Sequence, residues 1–169
     1  MNPDLLRKLS PITAEEAAIL DGNNSIDRSL YYRADQTSHK RNEIDASVVL
    51  ANGKMIDMRP HTRFIHFPKH SHNYVEFVYM YQGTTTHIID GSEVTLKEGD
   101  LLFMNQHAEQ EILPAGEKDI AVNFMIMPQF FDTVLRNLDN ESGSLRDFLI
   151  SCLTDRDMGG NYLYFDAAD

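Results

Sequence analysis

The stretch from Pro68 to Gly83, PKHSHNYVEFVYMYQG, constrains the fold more than any other part of this chain. Val75 to Tyr81 is a strongly apolar run rich in aromatic residues and interrupted by Glu76, which suits a strand. His70, His72, Tyr74, Glu76, Val78 and Met80 share one parity, so on an extended chain they point to one side. His70 and His72 would stand about 6.6 Å apart, within reach of one small object. Glu76 lies about 13 Å further along a straight strand. It joins the histidines only if the chain bends around Ser71-His72-Asn73, where turn-tolerant residues stand. Val75, Phe77, Tyr79 and Tyr81 make a second face too apolar for solvent, so helices or a partner subunit should cover it. The expectation is a polar cluster inside an otherwise apolar β-barrel or sandwich.

The flanking sequence agrees with a mainly β fold. Thr13 to Glu16 has the pattern of a capping box, and the helix it opens ends at Asp21-Gly22. Asn23 to Glu43 is polar, apart from Leu30-Tyr31-Tyr32, and reads as an irregular, mobile arm. Two hairpins are expected, around Asn52-Gly53 and around Asp90-Gly91. Further strand candidates are Thr62 to Phe67, stopping at Pro68, then Leu101 to Met104, Glu111 to Leu113 and Ile120 to Ile126. Short strands with frequent turn signals indicate an all-β barrel or sandwich. After Met127 the apolar period becomes helical. One helix should start at Pro128 and carry Phe130, Phe131, Val134, Leu135 and Leu138. A second should start at Ser144 and carry Phe148, Leu149, Cys152 and Leu153. Gly159-Gly160 breaks it, and Tyr162 to Phe165 reads as a last strand. The organisation is therefore 1–44 helix and arm, 45–127 β domain, and 128–169 helical extension with a final strand.

Composition limits the partners. Fifteen basic against 26 acidic residues give a net charge of −11, which repels phosphate backbones. Cys152 is the single cysteine, so no intrachain disulfide forms, as suits a reducing compartment. No apolar run approaches the length of a membrane span, and residues 1–16 lack the apolar core of a signal peptide. A cytoplasmic location without membrane contact is expected. The end at Asp169 reads as a boundary within a longer protein.

At His70, His72, Glu76 and Gly83 the chain resembles the cupin superfamily, whose first motif is His-x-His, a Glu and a later Gly. Gly99, Asp100 and Leu101 to Met104 resemble the second motif. The chain departs from it at Asn105, where Pro is usual, and at Gln110, where the final His is usual. The glycine usual upstream of His70 is also missing. Within the cupins it resembles the N-terminal sensor domain of AraC-type transcription regulators. The His-x-His run into an aromatic strand, GDLLFMNQH, and VNFMIMPQFFD from Val122 to Asp132 carry that likeness. The resemblance covers about residues 45 to 169. It implies a cupin-like double-stranded β-helix, a jelly-roll barrel with short N-terminal and C-terminal helices. It also implies a DNA-binding half beyond residue 169, through which alone DNA would be bound.

The function expected from this likeness is effector sensing and dimerisation, without catalysis. A small polar metabolite would be held by His70, His72, Glu76 and Gln110, with Tyr74 stacking on it. Arg63 is a further candidate, a cation at the mouth for an anionic effector. A cupin metal is held by three His and one Glu, and Gln110 is a poorer ligand than imidazole. No cofactor is therefore expected, with a divalent metal on His70, His72 and Glu76 as the alternative. That alternative makes a small cupin enzyme, an isomerase or dioxygenase, with Gln110 or His107 as fourth ligand. His61, His66 and His87 read as surface or satisfied core residues, and Cys152 as a buried thiol. A homodimer is expected from the apolar second face.

Overall fold

A computed structural model describes residues 3–35, 42–131, 143–153 and 160–167. The strands are β1 (Glu43–Ile44), β2 (Ile56–Pro60), β3 (Phe67–His72), β4 (Val75–Gln82) and β5 (Thr84–Ile89), followed by β6 (Ser92–Lys97), β7 (Leu101–Met104), β8 (Gln110–Ile112), β9 (Ile120–Ile126) and β10 (Tyr162–Phe165). The helices are α1 (Pro3–Leu9), α2 (Ala14–Leu20), α3 (Ala46–Val49) and α4 (Ser144–Leu153).

The strands form two five-stranded sheets, in the orders β1-β3-β8-β5-β6 and β10-β7-β4-β9-β2. Pairing is antiparallel except between β1 and β3. This is a cupin-like arrangement of two sheets with short helices. The sheets pack face to face: Val78, Met80, Leu102 and Met104 of one meet Ile89, Val94 and Leu96 of the other in one buried cluster. A second cluster at the other end joins Phe67, Ile112, Tyr74 and Met125 to Tyr31, Tyr32, Ile44 and Leu50. Along the inward face of β4 and the residue before it, the order is Tyr74, Glu76, Val78, Met80. Glu76 thus stands between the two apolar clusters.

Two turns show why the strands reverse where they do. Asp90 and Gly91 both take left-handed φ values, 49° and 84°, as a tight β5–β6 hairpin requires. Gly83, at φ 79°, lets the β4–β5 turn approach Asp119, where a Cβ would come within 2.2 Å of the carboxylate. That carboxylate accepts from the Thr84 amide at 2.9 Å.

Helices cover the outer face of the second sheet. Phe148, Leu149 and Cys152 of α4 pack with Phe131 on Val75, Phe77, Phe103 and Ile126. Leu5, Leu6 and Leu9 of α1 pack on Tyr79, Tyr81, Val122 and Phe124. Burial of each such side chain contributes about 1.5–3 kcal/mol. The helix expected from Ser144 does this work, whereas α1 was not foreseen. The face on which a partner subunit was expected is therefore covered within one chain.

Other expectations are corrected. The Asn52-Gly53 hairpin does not form. Asp45 caps α3 by accepting from the Ser47 amide, and Asn73 accepts from the Ala46 amide at 2.7 Å. The chain is thereby wound helically, and Asn52 and Gly53 close a 3₁₀ turn over Ala51–Gly53. Thr62 to Phe67 is not a strand, because Phe64 takes φ 70° and breaks the extension. Pro68 lies inside β3, at an irregularity in the β3–β8 register between Phe67 and His70, where no amide donor is needed. Residues 23–35 are not a loose arm. Ile26, Tyr31 and Tyr32 are buried, and the Tyr31 hydroxyl donates to Glu15 at 2.6 Å. At Pro128 only a 3₁₀ turn, Pro128–Phe130, is described; Val134, Leu135, Leu138 and Gly159 lie outside the described residues. Among the described residues no helix is long and apolar enough to cross a membrane.

Candidate functional site

The expected bend occurs at Asn73-Tyr74, between β3 and β4. It turns Glu76 back onto His72, whose Nε2 lies 3.5 Å from a Glu76 carboxylate oxygen. Gln110, at the start of β8, is the register partner of His70 on β3. Four sequence-derived candidates, His70, His72, Glu76 and Gln110, therefore meet between the sheets, and all are at most 5% exposed. Three residues join them that the sequence reading did not place there. They are His61 after β2, His87 on β5 and Asn123 on β9, all buried.

The hydrogen bonds have one consistent direction. Glu76 accepts from the Gln110 amide at 2.6 Å and from the Asn123 amide at 2.9 Å. With its amide nitrogen so used, Gln110 offers its oxygen to His87 Nδ1 at 3.1 Å, and Asn123 offers its oxygen to His61 Nδ1 at 2.9 Å. His70 Nδ1 donates to the Pro68 carbonyl at 2.8 Å, and His72 Nδ1 to the Tyr74 carbonyl at 2.7 Å. In each case an oxygen acceptor places a ring proton on Nδ1, which in the neutral rings of His61, His70 and His87 leaves a lone pair on Nε2. Thr85 satisfies the His87 Nε2 at 3.4 Å. The Nε2 atoms of His61 and His72 are buried without a hydrogen-bond partner.

The electrostatics follow from this enclosure. Burial pushes the imidazoles toward the neutral form: His70 falls to about 4, His87 to about 3, and His61 is lowered too. Burial works on Glu76 in the opposite direction and would raise it. The neighbouring His72 and His70 and the Gln110 amide outweigh it and hold the carboxyl below its usual range. At neutral pH the centre thus holds an ionised carboxylate beside the neutral imidazoles of His61, His70 and His87.

The cluster borders a chamber of about 30 Å³, lined among others by Tyr31, Arg59, His61, His70, Glu76 and Asn123. That is room for about one water molecule or one small head group. Tyr74 also lines it, but one face of its ring is already stacked on His72, at 4.7 Å between centroids. Arg59, Pro60 and Thr62 line both this chamber and a larger outer hollow of about 380 Å³. Arg59 donates to the Tyr31 hydroxyl at 2.7 Å and lies 3.7 Å from Glu15, so these groups form the lip between the two spaces.

Arg63 does not belong to this site. It is 2% exposed, and its guanidinium is bound by the Glu16 carboxylate at 2.8 and 2.9 Å and by the Ser10, Pro11 and Glu117 carbonyls. Its role is to fasten α2 and its neighbours to the loop before β3. His107 is half-buried in the turn after β7 and does not line the chamber. His66 is half-exposed and pairs with Glu111 at 2.7 Å.

The residues fit a metal poorly. Glu76 spends a lone pair of each oxygen on an amide, and Gln110 turns N–H groups, not a lone pair, toward it. Among the described residues no three His, Cys, Asp or Glu side chains are grouped to hold a metal ion. The anchored Nδ1 atoms of His70 and His72 do resemble the way metal-binding histidines are oriented.

Comparison with known proteins places residues 59–151 under the family model of the AraC-like ligand binding domain. No curated protein matches. Similar solved structures include apo ToxT from Vibrio cholerae, at 11% identity over 69% of this chain and 43% of that one, with a TM-score of 0.49. EutQ from Clostridium difficile is similar at 24% identity over 43% of this chain and 55% of that one, TM-score 0.35. NMB1881 from Neisseria meningitidis is similar at 13% identity over 45% of this chain and 78% of that one, TM-score 0.39.

Proposed function

The chain belongs to the family of AraC-like ligand binding domains, and from that premise we propose that it is the effector-sensing and dimerisation part of an AraC-type transcription regulator. The observation that carries the reading is the chamber beside Glu76. It is a buried set of polar groups with unsatisfied lone pairs at the centre of an otherwise apolar interior. Polar groups so enclosed cost stability unless something bonds them. A small polar metabolite enters past Arg59 and bonds to Glu76, His70 and Gln110, which line the chamber of a jelly-roll, while His72 stands behind Glu76 and Tyr74.

Ligand entry requires the lip to move. Tyr31 and Glu15 hold Arg59, and both precede β1, so occupancy changes how the N-terminal segment docks. A DNA-binding half beyond residue 169 reads that change. Self-association is part of the same proposal. Its support is the exposed Met55, Ile56 and Met58 on and beside the edge strand β2, which offer apolar contact area to a second copy. A cytoplasmic protein is the matching setting.

Allostery is a coupling between two binding events, of about 1–3 kcal/mol in typical cases. The test is effector affinity for the full-length protein with and without operator DNA. The proposal expects a difference of about 5-fold or more. Equal affinities contradict it. The alternative of a metal-dependent cupin enzyme has only the anchoring of His70 and His72 in its favour.

A further inference from the structure

We propose that the inner chamber recognises a primary ammonium group, so that the effector is a small amine. This rests on the reading of the chamber as the effector site. The two imidazoles that line the chamber, His61 and His70, give their Nδ1 protons to oxygens, so they present lone pairs at Nε2. Glu76 keeps lone pairs beyond the two that Gln110 and Asn123 engage. The chamber thus presents acceptors at His61, His70 and Glu76, and the Gln110 and Asn123 amides each give one of their two N–H groups to Glu76. The buried, partnerless Nε2 of His61 belongs to a residue that lines the space.

A hydroxyl brings one donor to these acceptors. An ammonium brings three donors and accepts nothing. Charge points the same way. Glu76 is ionised in the interior, and its nearest imidazole nitrogen stands 3.5 Å away. A buried charge gains most from a counter-charge within hydrogen-bond reach. Arg59, which also lines the chamber, gives an N–H to the Tyr31 hydroxyl, and Glu15 at 3.7 Å offsets its charge. The net charge of −11 attracts cations from solution.

Scale separates an ammonium from a bare metal ion. Transition-metal ligands stand about 2.0–2.2 Å from the ion. Acceptors of an ammonium stand about 2.7–2.9 Å away. A lining with no three-ligand metal grouping among the described residues suits the wider spacing. The space of about 30 Å³ holds one head group, and the carbon skeleton extends past the lip into the hollow of about 380 Å³.

The test compares n-propylamine, n-propanol and propionate as probes of one skeleton, by calorimetry and by the side-chain ¹⁵N signals of His61 and His70. Propylamine should bind saturably, move the His61 Nε2 signal, and bind about tenfold or more tighter than propanol. Glu76→Gln should abolish that preference; the comparison on the unaltered chain stands even if this variant does not fold. Equal or tighter binding of propanol, binding of propionate alone, or a response confined to Zn²⁺ overturns the inference. If a neutral metabolite moves the His61 signal and propylamine does not, the amine is excluded and the effector reading survives. Silence of His61 toward propylamine and a broad metabolite panel overturns both.

Discussion

The Nε2 of His72 lies 3.5 Å from Oε2 of Glu76, four residues on, because the chain reverses at Asn73-Tyr74 between their strands. That reversal turns a linear spacing into a cluster, and Glu76 becomes the acceptor that organises it. Glu76→Ala removes the partner of two buried amide donors, Gln110 and Asn123. The expected loss is about 2–6 kcal/mol, since each stranded buried donor costs about 1–3 kcal/mol. A urea titration should show a lower midpoint with an unchanged slope. A loss below about 1 kcal/mol would mean that the network contributes little.

Acid should destabilise the fold before ordinary carboxylates titrate. His70 and His87 have folded values of about 4 and about 3, below the unfolded 6.5. Between those values the unfolded chain binds more protons, so stability rises with pH there and falls as pH drops below about 6.5. Each group contributes a slope of up to about 1.4 kcal/mol per pH unit. Glu16 and Glu76, both held below their usual range, add further loss once pH falls below about 4.5. Melting curves from pH 7 to pH 5 check this; a flat profile would show that the histidines are not buried neutral.

The Arg63–Glu16 pair is enclosed, with side chains 3% and 1% exposed. Glu16 also accepts from the Thr13 hydroxyl's own residue: the Thr13 amide donates to it at 2.9 Å, completing the capping box of α2. Glu16→Gln should cost about 3–5 kcal/mol by leaving a buried guanidinium uncompensated. The double variant Glu16→Leu with Arg63→Met should recover much of that loss. Ligand binding by folded protein should be unchanged, which separates this fastening from the chamber.

Cys152, on α4, is fully buried against the sheet, and burial pushes its thiol up to about 12. Native protein should react slowly with a thiol reagent, and reaction should accelerate only in denaturant. Fast reaction in buffer would show that α4 does not stay docked on Val75 and Phe77.

Much of the β framework is legible in the sequence, because strand patterning and turn chemistry are local. Ile120 to Ile126, the Asp90-Gly91 hairpin and the Thr13–Glu16 capping box appear where the residues place them. The site is half legible. His70, His72 and Glu76 share a parity within one short stretch, and Gln110 follows from motif position. His61, His87 and Asn123 arrive from distant strands, and a single sequence carries no record of which strands pair. Two local signals did exist: His87 has the inward parity of Thr85 and Ile89 on β5, and Asn123 is the lone amide in an apolar strand. Arg63 was misread because its partner Glu16 is 47 positions away.

The chamber around Glu76 is the proposed effector site. The direct measurement is ¹⁵N-detected mapping of the histidine and glutamine side chains while metabolites are titrated in. A binding metabolite should move the signals of His61, His70 and Gln110 together, and Glu76→Gln should weaken its binding. Shifts confined to a separate surface groove of about 800 Å³, lined by Ala18, Ile26 and Pro68 among others, with the chamber histidines unmoved, would contradict that site.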